Sequence, residues 1–200
     1  MEALKRMVDV ITATCGLVAT SPVIAALAVA IWAEDGGPVF FKQERIGRSG
    51  RPFQIIKLRT MTDGAQAVRR GIAPDDVRIT RVGRFLRATS LDELPQLVNV
   101  LRGEMTLVGP RPTLRYQVEQ YSARELRRLE VLPGLTGWAQ INGRNQLSWP
   151  ERIELDIWYI DNHSWRLDLR ILARTVVKVL RREGTYAAGG GVPTYEVEDR

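Results

Sequence analysis

The longest feature of the hydrophobic pattern is the uncharged run from Val10 to Ala33. At about 24 residues it is long enough, as a helix, to cross the apolar core of a bilayer. Asp9 just before it, and the lack of a clear small-residue cleavage site after it, argue against a removable signal peptide. Ser21-Pro22 lies near its middle, where proline deletes one backbone hydrogen bond and bends a helix, while the serine hydroxyl can satisfy the freed carbonyl. Lys5 and Arg6 precede the run, and Lys42, Arg45, Arg48 and Arg51 follow it. Positive charge on both flanks places both on the cytoplasmic side. The pattern therefore predicts a re-entrant helix that bends at Ser21-Pro22 and leaves through the leaflet it entered.

Beyond Gly36-Gly37-Pro38 the pattern changes to short alternating stretches. Val39 to Lys42 and Phe53 to Leu58 read as two strands of a hairpin around the turn Gly47-Arg48-Ser49-Gly50. Asp63 to Arg70 reads as a short helix and Gly71 to Asp76 as a polar loop. Thr80 to Thr89 is helical, with Arg81, Arg84 and Arg87 at three-residue spacing on one side. Ser90 followed by Glu93 has the form of a capping box, although Pro95 suits a first turn that begins slightly later. The helix that follows is expected to bury Leu94, Leu97, Val98 and Leu101 and to stop at Gly103.

Thr113 to Leu132 is expected to be helical, interrupted near Ser122, where Ser122 and Glu125 make a second capping box. Leu135 to Asn145 is too glycine-rich for a helix and reads as extended, with a turn at Asn142-Gly143. Helices are expected from Ser148 to Asn162 and from Ser164 to about Glu183. The last carries Arg170, Arg174, Lys178 and Arg181 on one side and Leu169, Leu172, Val176, Val179 and Leu180 on others. That makes it a basic amphipathic candidate for a membrane surface, or a core helix with a solvated face. The expected fold is α+β, mostly helical with a small hairpin or short sheet. Its parts are a re-entrant helix at 1–35, a catalytic region at 36–184 and a glycine-rich flexible tail at 185–200.

Composition narrows the chemistry. The 200 residues are 44% hydrophobic and 26% charged, which are globular values. A net charge of +6 implies an anionic partner: nucleic acid, anionic lipid or a phosphorylated substrate. Cys15 is the one cysteine and His163 the one histidine, which excludes a disulfide framework and a cysteine zinc site and argues against histidine-based catalysis. Acid-base or metal chemistry must rest on carboxylates. Asp92 and Glu93 stand at the mouth of a helix, where unpaired N–H groups favour negative charge, phosphate and a cation. Arg84, Arg87 and Arg111 surround them in sequence, and arginine's planar fork suits phosphate oxygens. The plainer readings are an acidic first turn, a salt-bridge network and a solvated basic face.

The string SLDELPQLVNVLRGEMTLVGPRP from Ser90 closely resembles the core of the bacterial sugar transferase family, the monotopic polyprenol-phosphate phosphoglycosyl transferases. FFKQERIGRSGRPFQIIKLRTM, PGLTGWAQINGRN and the Ser-Pro in the apolar helix resemble the same family. The resemblance runs from Lys5 to about Glu183. It implies that Asp92 and Glu93 are a catalytic dyad and that a phospho-sugar passes from a UDP-sugar to polyprenol (undecaprenyl) phosphate in two steps. Asp92 would attack, releasing UMP, and the resulting phosphosugar-aspartyl intermediate would then be taken by the acceptor. Lys57 and Arg59 become candidate phosphate contacts, and Arg144 and Asn145 candidate donor contacts. Mg²⁺ held by Asp92 or Glu93 would offset the substrate's charge. Neighbouring side chains on a helix point about 100° apart, so the two acids cannot share one role. Asp92 is assigned as nucleophile; Glu93 would ligate or position the metal, or handle the acceptor's proton. The implied location is the bacterial inner membrane, with the catalytic part on the cytoplasmic face. The alternative is a non-catalytic basic protein that binds membrane or nucleic acid, though no nucleic-acid motif appears. Such a binder would tolerate Asp92→Asn.

Overall fold

The computed structural model describes residues 2–62, 76–143 and 147–181. The helix expected at Asp63–Arg70, most of the loop after it, and the tail from Thr185 lie outside the described residues. The apolar run becomes helix α1, Glu2–Asp35, which continues through Pro22. Proline at 22 supplies no N–H for the carbonyl of Val18 one turn back, and the Ser21 hydroxyl donates to that same carbonyl at 2.9 Å. Among the described residues, α1 alone is long and apolar enough to cross a membrane.

Both ends of α1 are bonded to the rest of the protein. Near its start, Lys5 pairs with Asp168 at 2.5 Å and Arg6 donates to the carbonyls of Val100 and Leu101 at 2.5 and 2.8 Å. Asp9, 4% exposed, accepts from the Thr106 hydroxyl at 2.6 Å and the Leu107 N–H at 3.2 Å. At the other end Glu34 accepts from the backbone N–H groups of Arg81 and Val82 at 2.6 and 3.1 Å, and Asp35 pairs with Arg59.

The hairpin forms as expected, but longer. Strand β1, Phe40–Ile46, pairs antiparallel with β2, Pro52–Leu58, so that Phe41 faces Lys57. Helix α2, Arg81–Thr89, is capped by the Thr80 hydroxyl, which accepts from Gly83 N–H. A Cβ on Gly83 would lie 2.1 Å from the Thr60 carbonyl oxygen, so glycine lets α2 lie against the end of the hairpin.

The capping box expected at Ser90 does not form. Ser90 closes α2 in the left-handed region (φ 58°) and makes no side-chain cap bond; Leu91–Gln96 is a 3₁₀ turn; helix α3 then runs Leu97–Arg102. Left-handed backbone costs a residue with a Cβ about 1–2 kcal/mol, and here it makes a sharp corner between α2 and the acidic pair. Gly103 ends α3 as expected, at φ 78°. Leu97 is buried, but the other fully buried positions are Asn99 and Val100; Leu94, Val98 and Leu101 are only partly covered.

Strand β3, Thr106–Val108, pairs in parallel with β4, Gly134–Thr136. Between them, 113–132 is broken near Ser122 as expected, into α4, Arg115–Val118, and a 3₁₀ turn, Glu125–Glu130, with the Ser122–Glu125 box bonds formed at the start of that turn. The segment read as extended with a turn at Asn142-Gly143 has that turn but also one helical turn before it, α5, Trp138–Ile141. Its glycines serve a different end. A Cβ on Gly134 would sit 2.1 Å from the Gly109 nitrogen, and one on Gly137 2.2 Å from the Gly109 oxygen, so this backbone crossing has no room for side chains.

Helices α6, Trp149–Asn162, and α7, Trp165–Arg181, complete the described chain, with the Ser148–Glu151 capping box in place. The main core joins Ala13 of α1 to Ile55, Val100, Met105, Tyr159 and Ile171. The α1 helix is thus packed as part of the domain, and Leu97 of α3 lies directly against Gly16. On α7, Leu167 and Ile171 are buried, whereas Leu169, Val176 and Leu180 stay exposed beside its basic residues.

The crossing gives a stability prediction. Gly134→Ala should destabilise by about 1–3 kcal/mol through overpacking. Thermal unfolding of the purified protein in detergent should show a midpoint several degrees lower; an unchanged midpoint would mean the backbones are not in contact.

Candidate active site

Three elements converge on the acidic pair. The 3₁₀ turn carries Asp92 and Glu93, β2 carries Lys57, and the loop after β3 carries Arg111. Asn99 sets the first two relative to each other. It is fully buried on α3 and donates to the carbonyl of Gln54 (2.7 Å) and to Glu104 (2.6 Å), while its side-chain oxygen accepts from Ile56 N–H (3.1 Å). A polar residue among the apolar positions of VNVL was the available signal for this tie, and the sequence reading passed over it.

The two carboxylates are held differently. Glu93 accepts from Lys57 Nζ at 2.7 Å and from Arg111 Nη2 at 2.8 Å. The Lys57–Glu93 side chains are 16% and 13% exposed, enough for a charge-assisted bond worth about 2 kcal/mol; Arg111, at 44%, is more screened. Asp92 lies 3.8 Å from Lys57 Nζ and accepts no hydrogen bond from the described residues.

Burial pushes the Asp92 carboxyl above the usual carboxylate range. Lys57, Arg87 and Arg111 pull it down and the Glu93 charge pushes it up, but the loss of solvent dominates. Glu93 in turn raises Arg111. The helix-end field invoked for the acids counts for little here, because they precede α3 in a short 3₁₀ turn; two neighbouring cations stabilise Glu93 instead.

The remaining sequence candidates divide into several groups. Arg87 reaches the site: its Nε donates to Thr60 Oγ1 at 2.9 Å and its charge acts on Asp92. Arg59 is 4% exposed and paired with Asp35 at the end of α1, so its charge is matched there. Arg84 is exposed and makes no ion pair among the described residues. Arg144 and Asn145 lie outside the described residues. Ser21 and Pro22 sit within α1. Sequence reasoning missed Arg45 and Arg152. Burial and repulsion from Arg111 lower both from the usual arginine value to about 10. Arginines scattered over 107 positions give no sequence signal of convergence.

Among the described residues no three acids, histidines or cysteines gather as a metal cage. A pair of adjacent carboxylates still fits Mg²⁺, which commonly binds one or two carboxylates and completes its shell with substrate phosphates and water. Asp92, which accepts no hydrogen bond from the described residues, is the member with coordination capacity; Glu93 is engaged by two cations.

A prediction follows from the raised Asp92. A carboxyl whose folded-state pKa lies above its unfolded value favours folding at low pH, and that contribution is lost as pH rises through the folded value. Asp92→Asn removes the cost of the buried charge, so the variant should melt higher than the wild type at pH 7.5. The gap should close as pH falls toward the ordinary carboxylate range. A melt series in detergent at several pH values checks this, and a variant less stable at pH 7.5 would contradict the assigned burial cost.

A family model described as bacterial sugar transferase matches residues 1–182. The uncharacterized sugar transferase EpsL of Bacillus subtilis is 51% identical over 181 residues, covering 90% of this chain and 89% of its own. The UDP-glucose:undecaprenyl-phosphate glucose-1-phosphate transferase of Caulobacter vibrioides is 46% identical over 200 residues, covering 93% and 73%. The undecaprenyl-phosphate galactose phosphotransferase of Salmonella typhimurium is 39% identical over 199 residues, covering 92% of this chain but 42% of that protein.

Proposed function

The chain belongs to the bacterial sugar transferase family, and on that premise we propose that it transfers a sugar 1-phosphate from a UDP-sugar to undecaprenyl phosphate, releasing UMP. The observation that carries this reading is Asp92: a largely buried carboxylate that accepts no hydrogen bond from the described residues, next to an acid paired with Lys57 and Arg111.

In the first step an Asp92 oxygen attacks the sugar-bearing phosphorus. The bond from that phosphorus to the bridging oxygen breaks, and UMP leaves with the electron pair. A desolvated carboxylate that accepts no hydrogen bond from the described residues is the better nucleophile of the two. In the second step a phosphate oxygen of the polyprenol phosphate attacks the same phosphorus and returns the carboxylate to Asp92. Lys57, Arg87 and Arg111 hold positive charge around the phosphoryl group as negative charge builds there. Glu93 fixes Lys57 and Arg111 in place. Mg²⁺, when bound at Asp92 with substrate oxygens, would supply further charge neutralisation.

The membrane reading has its own support. A spanning helix delivers its two ends to opposite faces, yet α1 bonds to the same folded unit through Lys5, Arg6 and Asp9 at one end and Glu34 and Asp35 at the other. This favours a helix that enters and leaves on one side, with the catalytic unit on the cytoplasmic face of the inner membrane. The dyad then lies close to the bilayer, because α1 packs beneath α3. A soluble donor and a lipid acceptor can meet there.

The test is UMP release from a panel of UDP-sugars with Mg²⁺ and a polyprenol phosphate in detergent or nanodiscs. One sugar should support turnover. Asp92→Asn should lower it by on the order of 10³-fold or more, as for removal of a covalent nucleophile. Turnover that survives Asp92→Asn would remove the aspartyl step, and no UMP from any donor would remove the transferase reading.

A further inference from the structure

We propose that Arg45 and Arg152, together with Arg111, form a phosphate-monoester subsite next to the dyad. Three segments bring these side chains together. Arg45 is the penultimate residue of β1, and the next residue, Ile46, donates its N–H to the carbonyl of Thr113, two positions beyond Arg111. Arg152 lies in the first turn of α6, one turn before Asp156. Arg128 joins the last two segments: it pairs with Asp156 at 2.6 Å and donates to the Arg111 carbonyl at 3.2 Å.

Arg128 is paired with a carboxylate at 2.6 Å and has the Tyr121 hydroxyl alongside, although its buried Nε, like two guanidinium nitrogens of Arg59, has no hydrogen-bond partner among the described residues. What Arg45 and Arg152 lack is the carboxylate. Arg45 Nη2 donates to Gln43 at 2.7 Å, but its buried Nε has no hydrogen-bond partner. Arg152 Nε donates to the Leu147 carbonyl at 3.1 Å and the guanidinium lies 5.4 Å over the Trp149 ring, yet its buried Nη2 has no partner. Neither forms a salt bridge with a carboxylate among the described residues. Both feel the Arg111 charge, and the acids that act on them, Glu93 on Arg45 and Asp156 on Arg152, are already paired, the first with Lys57 and Arg111 and the second with Arg128. Positive charge is in surplus here, and buried donors without partners suit an acceptor-rich dianion.

Arg111 bonds Glu93 directly, and its charge reaches Arg45 and Arg152. Resting on the transferase reading, the reacting phosphoryl group lies at the dyad and a second phosphate at the three arginines. Each displacement at phosphorus is in line, so the group leaving opposite Asp92 in the first step and the group attacking in the second use the same direction. The departing nucleotide and the incoming lipid are both phosphate monoesters, and one cationic subsite can serve each in turn.

The test is binding to the full chain in detergent without turnover, by calorimetry or thermal shift. The probes are UMP against uridine and farnesyl phosphate against farnesol, on wild type, Arg45→Gln, Arg152→Gln, Arg152→Lys and Asp92→Asn. Loss of a charge-assisted contact should weaken at least one phosphate-bearing probe by about tenfold or more in both glutamine variants. Uridine and farnesol should be unaffected, Arg152→Lys should recover part of the loss, and Asp92→Asn should still bind. A loss confined to UMP assigns the subsite to the nucleotide, one confined to farnesyl phosphate assigns it to the acceptor, and loss of both supports alternating use. Variants that melt like wild type and bind both phosphates unchanged would overturn the subsite. Should a glutamine variant not fold, Arg152→Lys and the wild-type preference of each phosphate over its phosphate-free partner decide, and no such preference also overturns it. Because no turnover is measured, phosphate binding that depends on these arginines without UMP release from any donor would reject the reaction and keep the site.

Discussion

The site depends on the charge of Glu93 being satisfied from two directions at once. Lys57 comes from the hairpin and Arg111 from the loop after β3, and both reach the same carboxylate oxygen. This fixes the relative placement of segments 36 positions apart in one case and 18 in the other. It also divides the labour of two adjacent acids. Glu93 uses its charge to organise cations, and Asp92 is left largely buried, with no hydrogen bond from the described residues and a raised pKa.

The apolar helix belongs to the same arrangement. Its first half packs under α3, and its last residues take the exposed N–H groups at the start of α2. Helix α2 then ends at the left-handed corner of Ser90, from which the dyad follows directly. The position of α1 and that of the dyad are therefore set together, through hydrogen bonds to backbone as well as apolar contact. In the proposed reaction, with a lipid phosphate as acceptor, this would keep the Asp92 carboxylate at a constant depth relative to the segment proposed to meet the bilayer.

Arginine does three different things in this fold, decided by what each guanidinium meets. Arg59 and Arg128 are buried against Asp35 and Asp156 and serve as struts. Arg87 and Arg111 face the dyad. Arg45 and Arg152 are partly buried and form no salt bridge with a carboxylate among the described residues. The net charge of +6 is thus a poor guide to where an anion binds, because matched and unmatched cations count equally in the sum.

The sequence alone determined features carried by local rules. These include the long apolar helix with its serine-proline, the hairpin, the α6 capping box, the glycine stop of α3, the α+β class and the family that the strings around Asp92 resemble. Each is set by spacing within one turn or strand, or by a contiguous string. The tertiary structure decided the rest. Ser90 looked like a cap and became a corner, because the chain had to turn between α2 and the dyad. Gly137 sat in a segment read only as glycine-rich and extended, and with Gly134 it proved to be the contact between two backbones. Arg59, a candidate phosphate contact through the resemblance, is paired with Asp35. Arg45, Arg111 and Arg152 come from a strand, a loop and a helix, and only folding brings them together. Charge pairing and close backbone contact act through space between distant segments, so a periodicity along the chain cannot carry them.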